Sequence, residues 1–204
     1  MNKIFIWIAR IGFLGWILFE LLNWVGILHF TLDFTWVGLA ITAVGVWVAI
    51  ELISHHLKKA TGSGLPWFAY IISLFGTSWD ALGDVVHWYT QFIWYDQAAH
   101  FIGGSALGII SFITLWRLYQ AKKIILPRWL LNTLALTIAN MVGVLYEIEE
   151  YTEDAINSSG RLGSGVDTVN DMLLNLVGAL LLILIADMYV HRLQRKRTPE
   201  SSSS

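Results

Sequence analysis

Six stretches of this chain are long and apolar enough to cross a membrane, and no other feature restricts its fold so tightly. A helix needs roughly 20 mostly apolar residues to pass a hydrocarbon core of ~30 Å. The stretches cover residues 4–28, 34–53, 67–88, 97–117, 129–151 and 166–188. The longest breaks, 54–66, 118–128 and 152–165, are too short for a separate soluble domain. Lipid tolerates no unpaired backbone, so the expected fold is all-α: one six-helix transmembrane bundle over residues 1–197, followed by a disordered tail at 198–204. The first run contains Arg10 and Glu20 and shows no short apolar core ending in a small-residue cleavage site. It reads as a retained helix rather than a signal peptide.

Composition supports this. Asp, Glu, Lys and Arg make up 14% of the chain, against about 25% in ordinary globular domains. Too few polar side chains exist to coat a water-facing surface. The formal charge of −2 argues against nucleic acid as a partner. With no cysteine, disulfide frameworks, thiolate nucleophiles and cysteine-ligated zinc are excluded.

Basic residues set the expected orientation through the positive-inside bias. Lys3, Lys58, Lys59, Arg117, Lys122, Lys123, Arg128, Arg192, Arg195, Lys196 and Arg197 all fall on one side of the membrane, leaving only Arg10 within a span and Arg161 opposite. Both termini are therefore expected in the cytoplasm. The acidic residues sort the other way. Twelve of the 15 lie in the outer half or outer loops, and only Glu51, Asp187 and Glu200 lie inward.

Helical spacing draws these outer acids into stripes, because residues three, four or seven apart share a face. Asp80, Asp84 and His87 are expected on one face of the third span; Asp96 and His100 open the fourth. Glu147, Glu150 and Asp154 close the fifth, and Asp167, Asp171 and Asn175 open the sixth. Each charge buried in lipid costs roughly 2.5–3.5 kcal/mol, so the stripes should face one another around a polar cavity open to the outside. Like charges a few ångströms apart cannot all ionise unless a cation sits among them or some stay protonated. A divalent metal on carboxylates and imidazole satisfies that condition; protonation or pairing with Arg10 or Arg161 are the competing answers. Glu149, Glu153 and Asp154 are expected to be solvated at a helix end, and Asp167 to act partly as a favourable N-terminal helix charge. His29 reads as an interfacial side chain, and His55 and His56 carry no assigned role. Gly103, Gly104, Gly108 and Gly143 read as helix-packing positions. Residues 160–165, with Arg161 among them, are expected to form a loop over the site.

Tyr95-Asp96, His100-Phe101 and Gly104, then Tyr146-Glu147 with Glu150, then Asp167-Thr168, Asp171-Met172 and Gly178-Ala179 together resemble the YjdF-like family of bacterial inner-membrane proteins. The Asp-x-x-x-His, Glu-x-x-Glu and Asp-x-x-x-Asn spacings are also similar to the VanZ-like family, named for a protein associated with teicoplanin resistance. The resemblance covers mainly residues 80–180. It implies a multi-pass protein of the bacterial cytoplasmic membrane and concentrates interest on Asp96, His100, Glu147, Glu150, Asp167, Asp171 and Asn175, but it implies no reaction.

Three functions fit these residues. The first is a metal-dependent hydrolase or transferase acting on a lipid-linked or envelope substrate. In it Asp96, His100, Glu147, Glu150, Asp167 and Asp171 hold a divalent ion, Asp84 and His87 move protons, and Arg161 and Asn175 meet the substrate. The second is a small transporter in which the same acids relay protons or cations. The third is a structural membrane protein whose polar stripes only lock the bundle. No Gly-x-Ser-x-Gly elbow, P-loop, His-Glu-x-x-His or dinucleotide fingerprint is present, so nothing points to ATP or to a serine nucleophile.

Overall fold

The computed structural model describes residues 2–197, and every regular element among them is helical. The order is α1 (Asn2–Trp24), α2 (Trp36–Thr61), α3 (Trp67–Val85), α4 (Trp88–Gln91), α5 (Tyr95–Gln120), α6 (Arg128–Asn157) and α7 (Gly165–Arg197). The expected tail at 198–204 lies outside the described residues. Five helices, all but α3 and the single-turn α4, are long and apolar enough to cross a membrane.

Local chemistry sets the helix ends. The Thr35 hydroxyl accepts the Gly38 N–H at 3.1 Å and caps the start of α2, and Pro66 and Pro127 stand at the N-caps of α3 and α6. Proline suits that place because its missing N–H would have had no helical partner. Gly62, with φ 82°, ends α2 in the left-handed conformation that a Cβ disfavours.

One boundary differs from expectation with consequences for the site. The third apolar stretch was expected to continue to residue 88, but α3 stops at Val85 and His87 takes φ 61°. The chain turns there into α4, which sequence periodicity did not signal. His87 therefore leaves the face shared by Asp80 and Asp84, and the expected three-residue stripe is a pair.

Side-chain contacts define two ends of the bundle. At one end Arg10 meets Glu51 through two hydrogen bonds of 2.6 and 2.8 Å, and Arg128 meets Asp187 at 2.5 Å. Two apolar clusters fill this half: one around Phe13, Ile50, Leu57 and Tyr70, the other around Phe112, Trp116, Leu131 and Ile183. The other end holds Asp80, Asp96, Glu147, Glu150, Glu153 and Asp171, gathered around His100 and Arg161. Outward-facing positions of the long helices carry Ile11, Val48, Leu145, Leu173, Leu184 and Met188, all exposed. An apolar outside around buried acids at one end departs from the arrangement of a water-soluble domain.

The closest helix pair is α5 against α7. A Cβ at Gly104 would stand 2.6 Å from the Asn175 Cα, and one at Gly108 would stand 2.7 Å from the Ala179 Cα. Only glycine allows the two backbones to meet there. Gly103 has open space around its Cβ position, so the expectation of helix packing holds for its neighbours but not for it. This crossing fixes His100 on α5 opposite Asp171 and Asn175 on α7.

Candidate functional site

Tyr95 anchors the start of α5. It is fully buried, stacks on Trp79 at 5.2 Å between centroids, and meets Tyr89 edge-on at 5.1 Å. Its hydroxyl donates to the Trp79 carbonyl at 2.6 Å. Asp96 and His100 follow from this fixed point, one residue and then one turn further along.

His100 is the centre of a first cluster. Its Nε2 lies 3.4 Å from Asp96 Oδ1 and 3.9 Å from Asp171 Oδ1. Its Nδ1 lies 3.7 Å from Glu147 Oε1 and 3.3 Å from Asn175 Nδ2. Ligand atoms of Asp96, His100 and Asp171 fall within 4.8 Å of one another, and so do those of His100, Glu147 and Glu150. Glu147 and Asp171 are each only 3% exposed. Neither Glu147 oxygen has a hydrogen-bond partner, and Asp171 Oδ1 has none either. Buried carboxylates in that condition are expensive, and a bound cation or added protons would satisfy them. The donor set of four carboxylates and one imidazole suits a divalent ion.

A second cluster surrounds Arg161, which sits in the α6–α7 loop and is 8% exposed. Its Nε donates to Glu150 Oε1 at 3.1 Å, its Nη1 to Glu153 Oε2 at 3.3 Å, and its Nη2 to the Tyr146 hydroxyl. Asp80 Oδ2 lies 3.8 Å from Nη2, and the rings of Phe34 and Tyr146 flank the guanidinium. Burial alone would weaken the charge on Arg161, but Tyr146, Asp80 and Glu150 around it prevail and hold its pKa well above the ordinary arginine value. Burial also pushes the Tyr89 phenol well above its usual range, reinforced by Asp80, to which it donates at 2.6 Å.

The expectation of a solvated helix-end acid does not survive for Glu153, while Asp154 keeps partial exposure there. Glu153 is buried, accepts from Thr35 at 2.5 Å and from Arg161, and ties α6 to the start of α2. Asp154 accepts the backbone N–H groups of Arg161 and Leu162 at 2.8 and 3.2 Å and the hydroxyl of Ser159, so it folds the loop that carries Arg161. Glu149 is half-buried, with one oxygen enclosed and unpartnered. The missed signal was available in the spacing. Tyr146, Glu150 and Glu153 stand at i, i+4 and i+7 and present a second face of α6 toward Arg161, with Glu150 shared between both clusters.

The remaining expected site residues fall elsewhere. Asp84 Oδ1 accepts the Asp33 and Phe34 N–H groups at 2.7 and 2.9 Å. His87 meets Asp33 Oδ1 through Nδ1 at 2.7 Å and the Thr31 hydroxyl through Nε2 at 3.0 Å. Both organise the segment between α1 and α2, and neither belongs to the groups around His100. Asp167 is half-buried in the first turn of α7 and likewise stands outside those groups. Glu20, given no site role in the sequence reading beyond its outer placement, is fully buried with both oxygens unpartnered.

No curated protein and no solved structure matches the chain. The resemblance to the VanZ-like family rests on motif spacing alone, whereas a match over residues 11–192 contains every element that builds the two clusters. By that match the chain belongs to the family described as predicted membrane protein (DUF2238).

Proposed function

We propose that this protein is a divalent-cation-dependent hydrolase or transferase of the bacterial cytoplasmic membrane, acting on a lipid-linked or envelope substrate at the outer surface. The carrying observation is the pair of buried carboxylates, Glu147 and Asp171, whose oxygens lack donors beside His100. A bound ion would supply Lewis acidity and a water acidified toward neutral pH. The chain's own part is to hold that ion, through residues drawn from Asp96, His100, Glu147, Glu150 and Asp171, and to keep the inner half closed.

The proposal includes six crossings with both termini in the cytoplasm. Counting α3 as a crossing is supported by its contacts: Tyr70 near its start reaches Glu51 at 3.4 Å, and Asp84 near its end binds the residues preceding α2. Its 19 residues give about 28 Å at ~1.5 Å per residue, close to the hydrocarbon thickness. The basic residues then gather on the cytoplasmic side and the two clusters lie near the outer leaflet.

Enzymatic chemistry is favoured over conduction by the asymmetry of the bundle. Two closed apolar clusters and the Arg10–Glu51 and Arg128–Asp187 pairs occupy the half opposite the acids. Arg161 donates to Glu150, Glu153 and Tyr146, which supports a part in neutralising buried acids rather than in meeting the substrate. Asp84 and His87 receive a loop-organising part for the same reason.

Protein purified without chelator should carry about one divalent ion per chain, and His100→Ala should carry none. Bacterial total lipid extract incubated with the loaded protein should lose at least one lipid species that His100→Ala leaves intact. Wild-type protein free of metal, combined with pH-driven cation uptake in liposomes, would overturn this reading in favour of transport.

A further inference from the structure

Resting on the cation site proposed above, the geometry around His100 points to one side of its ring. A neutral imidazole has a single lone pair, so it ligates through one nitrogen while the other carries a proton that seeks an acceptor. The two nitrogens of His100 face different company. Nε2 looks toward Asp96 and Asp171; Nδ1 looks toward Glu147 and Asn175, and Glu150 groups with Glu147 and the ring within 4.8 Å.

Two observations separate the sides. Glu150, the third member of the Nδ1 group, already accepts from Arg161 at 3.1 Å. A cation there would compete with a buried guanidinium for the same carboxylate and stand close to its charge. Enclosed oxygens without a donor stand on both sides, both of Glu147 on the Nδ1 side and Asp171 Oδ1 3.9 Å from Nε2, so a cation on the Nε2 side has an unsatisfied carboxylate of its own. The Nε2 side also has a way in, since the Asp96 side chain is 33% exposed while those of Glu147 and Glu150 are 3% and 7%.

We infer that the ion sits on the Nε2 side of His100, held by Asp96, His100 and Asp171, with Glu147 as a positioning residue that accepts the Nδ1 proton. This tautomer requires the Asn175 amide, whose Nδ2 lies 3.3 Å from Nδ1, to turn over so that its oxygen faces the ring. Arg161 keeps Glu150 out of the coordination sphere. An imidazole ligand favours Zn²⁺ over Mg²⁺ and Ca²⁺, which prefer all-oxygen surroundings.

The test uses the full chain in detergent, stripped with chelator and reloaded with Zn²⁺ alone, then with Mg²⁺ and Ca²⁺ as competitors. Asp96→Asn and Asp171→Asn should each weaken Zn²⁺ binding by about 100-fold or more. Glu147→Gln should keep one ion per chain with affinity reduced roughly 10–100-fold, the range typical of a lost carboxylate behind a ligating histidine. Glu150→Gln should bind within about threefold of wild type. ¹⁵N-histidine NMR of the wild type, assigned by subtraction of His100→Ala, supplies a readout independent of variant folding. It should show a metal-bound Nε2 and a protonated Nδ1, with the Nδ1 proton signal shifted in Glu147→Gln. A metal-bound Nδ1, loss of binding in Glu150→Gln with retention in Asp171→Asn, or equal competition by Mg²⁺ would overturn the assignment while leaving a cation site in place. Wild-type protein that takes up no Zn²⁺ would overturn the cation reading and this assignment together.

Discussion

Replacing Arg161 with Gln tests whether the acids at this end of the bundle depend on a single buried cation. The guanidinium makes three charge-assisted contacts, to Glu150, Glu153 and Tyr146, and lies 3.8 Å from Asp80. Glutamine keeps part of the volume and loses the charge. Glu150 and Glu153, each buried, would then have to stay ionised without a partner or take up protons. Removing one member of a buried ion pair costs about 3–5 kcal/mol, much more than an exposed pair, because the abandoned charge remains desolvated. For a chain of this size each kcal/mol corresponds to roughly 2–4 °C. Arg161→Gln should therefore lower the melting temperature in detergent by about 6–20 °C, measured with chelator present so that metal loading does not contribute. The cost comes from the stranded acids, so Arg161→Gln/Glu150→Gln/Glu153→Gln should recover more than half of it. A single variant melting within 2 °C of wild type, or a triple variant no more stable than the single one, would refute the account.

Other predictions follow from particular contacts. Gly104→Leu should destabilise the protein by about 1–3 kcal/mol or prevent its accumulation, because its side chain would meet the Asn175 backbone; Gly103→Leu, with open space around it, should melt like wild type in the same assay. Asp84→Ala removes the acceptor for two backbone N–H groups of the segment between α1 and α2 and should cost about 1–3 kcal/mol per stranded donor, with faster proteolysis near Thr31 than Asp84→Asn shows. Because the chain contains no cysteine, single cysteines can be introduced without background: positions 59 and 124 should label only from the cytoplasmic side and position 29 only from outside. The opposite pattern would invert the proposed topology.

Much of this protein was legible before any coordinates. The apolar runs fixed an all-helical chain because lipid leaves backbone groups no other way to pair. The spacing of Asp96 to His100, Glu147 to Glu150 and Asp171 to Asn175 marked residues that end up around one imidazole, since i, i+3 and i, i+4 neighbours must share a helix face. The same rule misled at His87, where a left-handed turn ended α3 early. Periodicity carries no information about where a helix stops when no proline or cap marks the place.

What only the tertiary structure decided is which charges meet. Local spacing selects a face but not the residue opposite it, and the partners here are far apart in sequence. Arg161 reaches Asp80, and Thr35 reaches Glu153. For that reason Glu153 looked like a solvated helix-end acid and proved to be a buried partner of the Arg161 guanidinium, while half-buried Asp154 folds the loop that carries it. Glu150 stands on both faces at once, and the fold assigns it to the arginine while leaving Glu147 and Asp171 without donors. The sequence by itself determined the solvent and placed the acids at one depth. The crossing of α5 and α7 at Gly104 and Gly108 decided which residues of α7 meet His100, because the close approach of the two backbones brings Asp171 and Asn175 within reach of one ring.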